Sequence, residues 1–135
     1  MLECRKGRKI AYGTTIEVLS GGSLETGFFT MNSGSVLIAA KRVQLGNDVM
    51  IARNVVIYDS DFHALGAESD VSAAPVVIGD HVWIATNAMI LNGVSIGAGS
   101  VIAANTLVSR SVKEQALVGQ KIEEVVLREH VEWRR

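Results

Sequence analysis

Between Ile78 and Val108 an aliphatic residue returns at every sixth position: Ile78, Ile84, Ile90, Ile96, Ile102 and Val108. Four residues after each stands a small or β-branched one, in turn Val82, Ala88, Val94, Ser100, Thr106 and Val112. A period of six fits neither the 3.6 residues of an α-helical turn nor the plain alternation of an isolated strand. It is the mark of hexapeptide repeats, in which three short strands make one coil of about 18 residues in a parallel β-helix. Coils then stack about 4.8 Å apart, as parallel strands do. The aliphatic at the head of each hexapeptide points into the prism, and the fifth residue is small because it sits near a corner or the next wall. A sandwich of alternating strands would need six in-phase aliphatics by coincidence.

The beat extends upstream. Leu45, Ile51 and Ile57 keep the phase, with Val49, Val55 and Asp61 at the fifth position. The next head would be His63, and there the pattern breaks. Residues 63–77 intervene before Ile78 resumes it, and they carry Gly66, a Ser/Ala-rich run and the only proline, Pro75. This is loop composition. So long an excursion from a strict solenoid is costly unless it serves something, which makes it the first place to look for function. The N-terminal third is looser. Ile16, Phe28, Phe29, Val36 and Ile38 suggest early coils with corners at Gly21-Gly22 and Gly34, and residues 1–20 are expected to form the atypical end that covers a repeat array. After Val112 the beat stops. Residues 113–135 are charged; Ile122, Val125, Val126 and Glu129 fit one helical face only in part, Val131 and Trp133 suggest a short strand, and Lys121, Arg128, Arg134 and Arg135 read as solvated charge. The expected role of this tail is a cap on the last coil.

Composition narrows the class. A chain of 135 residues is one domain, 1–135. It is 48% hydrophobic yet only 5% aromatic, so its core must be built of aliphatics and alanines, as a narrow prism requires. A net charge of −1 gives no electrostatic case for a nucleic-acid partner. No apolar run approaches the ~20 residues of a membrane helix, and no signal peptide is evident. The single cysteine, Cys4, cannot form an intrachain disulfide, so a reducing, cytoplasmic setting is expected.

Two segments carry a resemblance. Ile78-Gly79-Asp80-His81-Val82-Trp83-Ile84-Ala85, followed by Ile90-Leu91-Asn92-Gly93-Val94-Ser95-Ile96-Gly97 and Val101-Ile102-Ala103-Ala104, resembles the hexapeptide acyltransferases. Within them the chain is most similar to sugar O-acetyltransferases of the maltose, galactoside and surface-polysaccharide kind. The run from Val49 to Asp61-Phe62-His63 is similar to the segment that carries the catalytic histidine of that family. The likeness spans about residues 28–112. It implies a left-handed β-helix, an exception to the usual right-handed crossover that periodicity could not supply. It further implies a homotrimer that uses acetyl-coenzyme A, held in the cleft between neighbouring subunits, and no metal.

Acetyl transfer from a thioester to a hydroxyl requires removal of the hydroxyl proton, stabilisation of a tetrahedral oxyanion and alignment of both substrates. A histidine is the side chain best suited to take that proton near neutral pH. Position alone leaves His63 open between a base and an idle corner residue; the resemblance makes it the base. Asp59 or Asp61 would fix its tautomer, or serve as a turn carboxylate. The resemblance also gives the backbone amide of Thr86 as oxyanion donor and Trp83, Asn32 and Asp61 as acceptor contacts. It places Ala104 at the pantetheine and Ser109 and Arg110 near the nucleotide end of the coenzyme. No serine or cysteine sits in a nucleophile setting, so direct transfer in a ternary complex is expected.

The chain departs from that family in three places. No counterpart of the N-terminal helical region that helps close the acceptor site is expected within residues 1–135, Ala40 stands where galactoside acetyltransferases carry an acceptor-binding aspartate, and Lys113-Glu114-Gln115 and Gly119-Gln120-Lys121-Ile122 replace the usual segments past Val112. Three rivals use the same fold: acetylation of an antibiotic hydroxyl, a zinc enzyme of the γ-carbonic anhydrase kind using His63 and His81, and a β-helix without catalysis. Of the two histidines, His81 is expected to matter far less to acetyl transfer.

Overall fold

In the computed structural model the described residues are 2–4, 8–66 and 70–134, with side chains described from residue 9 onward. The side chain of Cys4, residues 67–69 of the loop and Arg135 lie outside them.

The described residues form sixteen short strands. The first coil is β1 (Leu2–Cys4), β2 (Arg8–Ile10) and β3 (Thr15–Val18). The second is β4 (Leu24–Thr26), β5 (Phe29–Met31) and β6 (Val36–Ala39), and the third β7 (Val43–Leu45), β8 (Val49–Ile51) and β9 (Val56–Tyr58). The fourth is β10 (Val76–Ile78), β11 (Trp83–Ile84) and β12 (Met89–Ile90), and the fifth β13 (Ser95–Ile96), β14 (Val101–Ile102) and β15 (Leu107–Val108). β16 (Leu117–Val118) begins a sixth. Each strand pairs in parallel with its counterparts one coil away. Three walls result: β1-β4-β7-β10-β13, then β2-β5-β8-β11-β14-β16, then β3-β6-β9-β12-β15. The molecule is an all-β, left-handed parallel β-helix, with no helix among the described residues and hence none that could cross a membrane.

The register shows how the insertion is accommodated. In the regular part each residue pairs with the one three hexapeptides further on, Val77 with Ser95, Trp83 with Val101 and Met89 with Leu107. Across the insertion Val43 pairs with Val76, Met50 with Trp83 and Val56 with Met89. Each of these spacings exceeds the regular one by the length of segment 63–77 and by nothing more. The insertion is therefore absorbed at one corner, and no wall loses phase. Earlier coils are longer than three hexapeptides. Thr26 pairs with Leu45, Met31 with Ile51, Arg8 with Phe29 and Leu2 with Leu24, the spacing growing toward the N-terminus. The extra residues sit at corners, which is why the beat is hard to follow there. Within residues 1–20, expected from sequence to be an atypical end, β1, β2 and β3 supply a first coil with a strand in all three walls.

All nine expected heads, Leu45, Ile51, Ile57, Ile78, Ile84, Ile90, Ile96, Ile102 and Val108, are at most 3% exposed. Val49, Val55, Val82, Ala88, Val94, Ser100 and Thr106 at the fifth position are buried with them, whereas Asp61, at the break, is exposed. The buried hydroxyl of Ser100 donates to the Lys113 carbonyl at 2.8 Å and accepts the Ala116 amide at 3.2 Å, so its polarity is satisfied inside the stack.

Corners follow their own rule. Three residues after a head the backbone is left-handed at Asp48, Asn54, His81, Asn87, Gly93, Gly99 and Asn105, with φ between +53 and +75. Glycine, asparagine and aspartate carry the least penalty there. One residue after a head, Gly46, Gly79 and Gly97 lie so close to the next coil that a Cβ would collide with it; on Gly97 it would strike the Glu114 amide nitrogen.

The last coil is closed by Val112 bridging Ile96, by β16 on β14 and by the Gln120 side chain, which bonds the backbone of Leu107. Beyond it, residues 119–134 form no strand. Val131 and Trp133 do not make the strand their sequence suggests. Without the beat they have no wall to enter, and they are 59% and 78% exposed.

Candidate active site

The prism has three edges, and the candidate residues fall on two of them, except Trp83, which lies on the second wall. The third edge, where the third wall returns to the first, carries the insertion. It leaves β9 after Tyr58 and rejoins at β10. Its base is tied firmly: Ser60 bridges Ala73, the Asp61 amide donates to the Ser72 carbonyl at 2.9 Å, and the Ala74 amide to the Asp59 carbonyl at 3.0 Å. Phe62, with φ +60, turns the chain and packs edge-on against Tyr58, centroids 5.4 Å apart. His63 follows, exposed, presented outward from this tethered base.

Asp59 and Asp61 are the two carboxylates that the sequence offers for orienting His63; neither hydrogen-bonds it. Asp59 is fully buried, and its carboxylate accepts the amides of Ala40, Lys41 and Arg42 at 2.7, 2.8 and 2.6 Å. A carboxylate is costly to bury unless it is hydrogen-bonded, and these three backbone donors meet that need. Asp59 therefore clamps the base of the loop to the coil before it. Asp61 accepts the Asn92 amide group at 2.5 Å, which fastens the loop to the next coil. Sequence reasoning missed Asn92.

Ser109 and Arg110 lie on this same edge two coils further on. With Thr106, Leu107 and residues 118–120 they line a groove of about 340 Å³, and Arg110 makes no ion pair among the described residues.

The second edge, between the second and third walls, holds Asn32, Thr86 and Ala104. Asn32 is exposed just after β5. Ala85 to Ala88 form a tight turn in which the Ala88 amide donates to the Ala85 carbonyl at 3.3 Å and Asn87 has φ +62. A left-handed third residue marks a type II turn, which leaves the amide of its second residue, Thr86, pointing away from the ring it closes. Among the described residues no acceptor takes that amide; the Thr86 backbone only accepts, from the Asn105 amide at 3.0 Å. A free backbone donor is what an oxyanion site needs. Ala104 occupies the equivalent position one coil on and is likewise exposed.

Trp83 lies on the outer face of the second wall, 47% exposed, between Met50 and Val101 in its row. On its far side, at the first edge, Asp48 and His81 meet: Asp48 Oδ2 lies 2.7 Å from His81 Nδ1. With Met50, Trp83, Gly99 and Val101 they line a groove of about 190 Å³. His81 and His63 thus stand on different edges and do not converge within one chain.

The outer faces differ in character. From the third coil onward the first wall shows Gln44, Val77 and Ser95 to solvent, the second Met50, Trp83, Val101 and Leu117, and the third Val56, Met89 and Leu107; the earlier coils add Glu25, Thr30, and Thr15 with Val36 to the three rows in turn. Two apolar walls meet at the edge that carries Thr86.

A coil of three parallel walls with one inserted loop defines a class, the hexapeptide-repeat proteins. The pattern of the family described as bacterial transferase hexapeptide (six repeats) matches residues 75–110. The galactoside O-acetyltransferase of Escherichia coli K12 is 31% identical over 87 residues, which cover 62% of this chain and 43% of that one. A hexapeptide-repeat acetyltransferase from Vibrio cholerae O1 biovar eltor, solved in complex with acetyl coenzyme A, superposes with a TM-score of 0.71 at 28% identity, over 85% of this chain and 66% of that one. A maltose O-acetyltransferase from Clostridium difficile 630 gives 0.68 at 28%, over 86% and 70%. The chain thus carries the bacterial transferase hexapeptide pattern over residues 75–110 and resembles sugar O-acetyltransferases in sequence and fold. It spans about half the length of the curated relatives it matches, 47% and 43% of the first two.

Proposed function

We propose that the chain acts as an acetyl-coenzyme A-dependent O-acetyltransferase on a sugar or sugar-containing hydroxyl, and that it works as a homotrimer. The observation that carries this reading is the free Thr86 amide three residues after the exposed Trp83, in a chain whose inserted loop holds an outward His63. His63 and Thr86 stand on opposite edges of the third wall, so one chain does not complete the site. The apolar second and third walls give a neighbouring copy a surface to pack on, and cyclic packing repeats that contact three times. His63 of one subunit then faces Trp83 and Thr86 of the next.

In that cleft His63 accepts the proton of the acceptor hydroxyl as its oxygen attacks the thioester carbonyl. The carbon–oxygen bond forms, and the oxyanion accepts a hydrogen bond from the Thr86 amide. Collapse breaks the carbon–sulfur bond, and the imidazolium returns its proton to the departing thiolate. Asn32 and Trp83 hold the acceptor and Asp61 borders it. Ala104 lies along the pantetheine, and Ser109 and Arg110 receive the nucleotide end, where a cation suits phosphate.

The test is release of coenzyme A from acetyl-coenzyme A against a panel of sugars, nucleotide-sugars and hydroxylated antibiotics. Turnover with a sugar supports the reading, and turnover with antibiotics alone moves the acceptor class. Absence of both turnover and acetyl-coenzyme A binding removes the proposal.

A further inference from the structure

The groove that runs from Trp83 to the first edge ends in a polar pair, Asp48 and His81, that the acetyl-transfer step does not use. Its floor is the second wall, where Met50, Trp83 and Val101 stand in one row and Trp83 and Met50 are 47% and 49% exposed. Its polar rim is the Asp48–His81 pair at 2.7 Å. Both rim residues hold left-handed corner positions, φ +60 and +53, one coil apart, so the backbone fixes their separation. Gly99, φ +71, takes the same position in the following coil and leaves the rim open there.

The chemistry of the pair assigns its protons. An ionised carboxylate only accepts, so the hydrogen between Asp48 Oδ2 and His81 Nδ1 resides on the imidazole. With that hydrogen on Nδ1, the Nε2 of the neutral imidazole is an acceptor beside an exposed indole. An aromatic face with an adjacent oriented hydrogen-bonding group suits a ring that is apolar on one face and hydroxylated at its rim, as a pyranose is.

On the reading of the chain as a sugar acetyltransferase, we infer that the Asp48–His81 pair and Trp83 form a pyranose subsite. The ring stacks on the indole, and one of its hydroxyls donates to His81 Nε2. His81 is a specificity residue that touches the acceptor and takes no proton from the reacting hydroxyl. Asp48 is a positioning residue that acts through the His81 tautomer.

Trp83 and Trp133 are the only tryptophans, so in a Trp133→Phe background the emission reports Trp83 alone. The experiment titrates that protein with methyl β-galactoside and with maltose, without coenzyme. His81→Asn and Asp48→Asn preserve residue types that accept the left-handed corner. A saturable change in emission is expected for at least one sugar. It should weaken about tenfold or more in His81→Asn, the loss expected when a hydroxyl of the sugar is left without its partner. It should weaken to a smaller extent in Asp48→Asn. In turnover assays His81→Asn should raise KM for the sugar and leave kcat within about twofold, since it removes binding common to ground and transition states. No emission change with either sugar, or equal affinity in parent and His81→Asn, overturns the inference. The two readings fail separately. Acetyl-coenzyme A turnover that ignores His81 removes the subsite alone. His81-dependent sugar binding without acetyl-coenzyme A binding removes the transferase and keeps the subsite.

Discussion

The fourth and fifth coils and the inserted loop obey opposite rules. In the coils each residue's identity is fixed by what surrounds it: heads are aliphatic because they fill the prism, and corners take glycine, asparagine, aspartate or histidine because the backbone is left-handed there. In the loop only the base is constrained, by Asp59 buried under three amides and by Asp61 on Asn92, while His63 projects free of either. The difference teaches that the solenoid isolates its inserted segment. The insertion adds its own length to the spacing of the coils it separates and shifts no strand within its wall, so the loop can be altered without retuning the walls.

The contrast is broken most severely by a charge in the prism. Ile90→Asp places a carboxylate at a fully buried position with no partner and should abolish folding, read as loss of the sheet signal in circular dichroism. A variant that melts like the parent would show the phase to be wrong. The corresponding change in the loop, His63→Ala, should leave the melting transition in place and lower acetyl transfer by roughly 10²–10⁴-fold, the usual range for losing a general base. Thr86→Pro tests the corner in the same way. Proline is at home in the second position of a type II turn, so the fold should survive. The substitution deletes the one donor in question, and turnover should fall roughly 10²–10³-fold with acetyl-coenzyme A still bound. Asn92→Ala is the mildest. It removes one side-chain hydrogen bond at the loop's tether and should cost about 1 kcal/mol or less in thermal denaturation. A larger loss would make the tether part of the core.

Much of the wall structure is legible because it is periodic. Nine head residues read as core from the beat, and all nine are buried. Corner geometry is written in the sequence too, three residues after each head, but the varied residue types there hide it unless the phase is used. The same offset relates Asp48 to Leu45 and His81 to Ile78. Their pairing escapes a sequence reading because the insertion nearly doubles the separation of neighbours across that corner, compared with Val77 and Ser95 in the regular part. The role of Asp59 is not legible. Its partners are backbone amides of residues 40–42, and a sequence does not display free amides. For the same reason Thr86 is reached only by resemblance. The first coil is hidden because its pairings, Leu2 with Leu24 and Arg8 with Phe29, are spaced more widely than the beat.

The central claim is that one catalytic site takes His63 from one copy and Thr86 from the next. Co-refolding His63→Ala with Thr86→Pro tests it most directly. Each variant alone should be folded, trimeric and nearly inactive. In a random mixture about one shared site in four joins an intact His63 to an intact Thr86 amide, so activity should return to about a quarter of the parent's. A mixture that assembles into trimers yet stays as inactive as either variant alone would contradict the account.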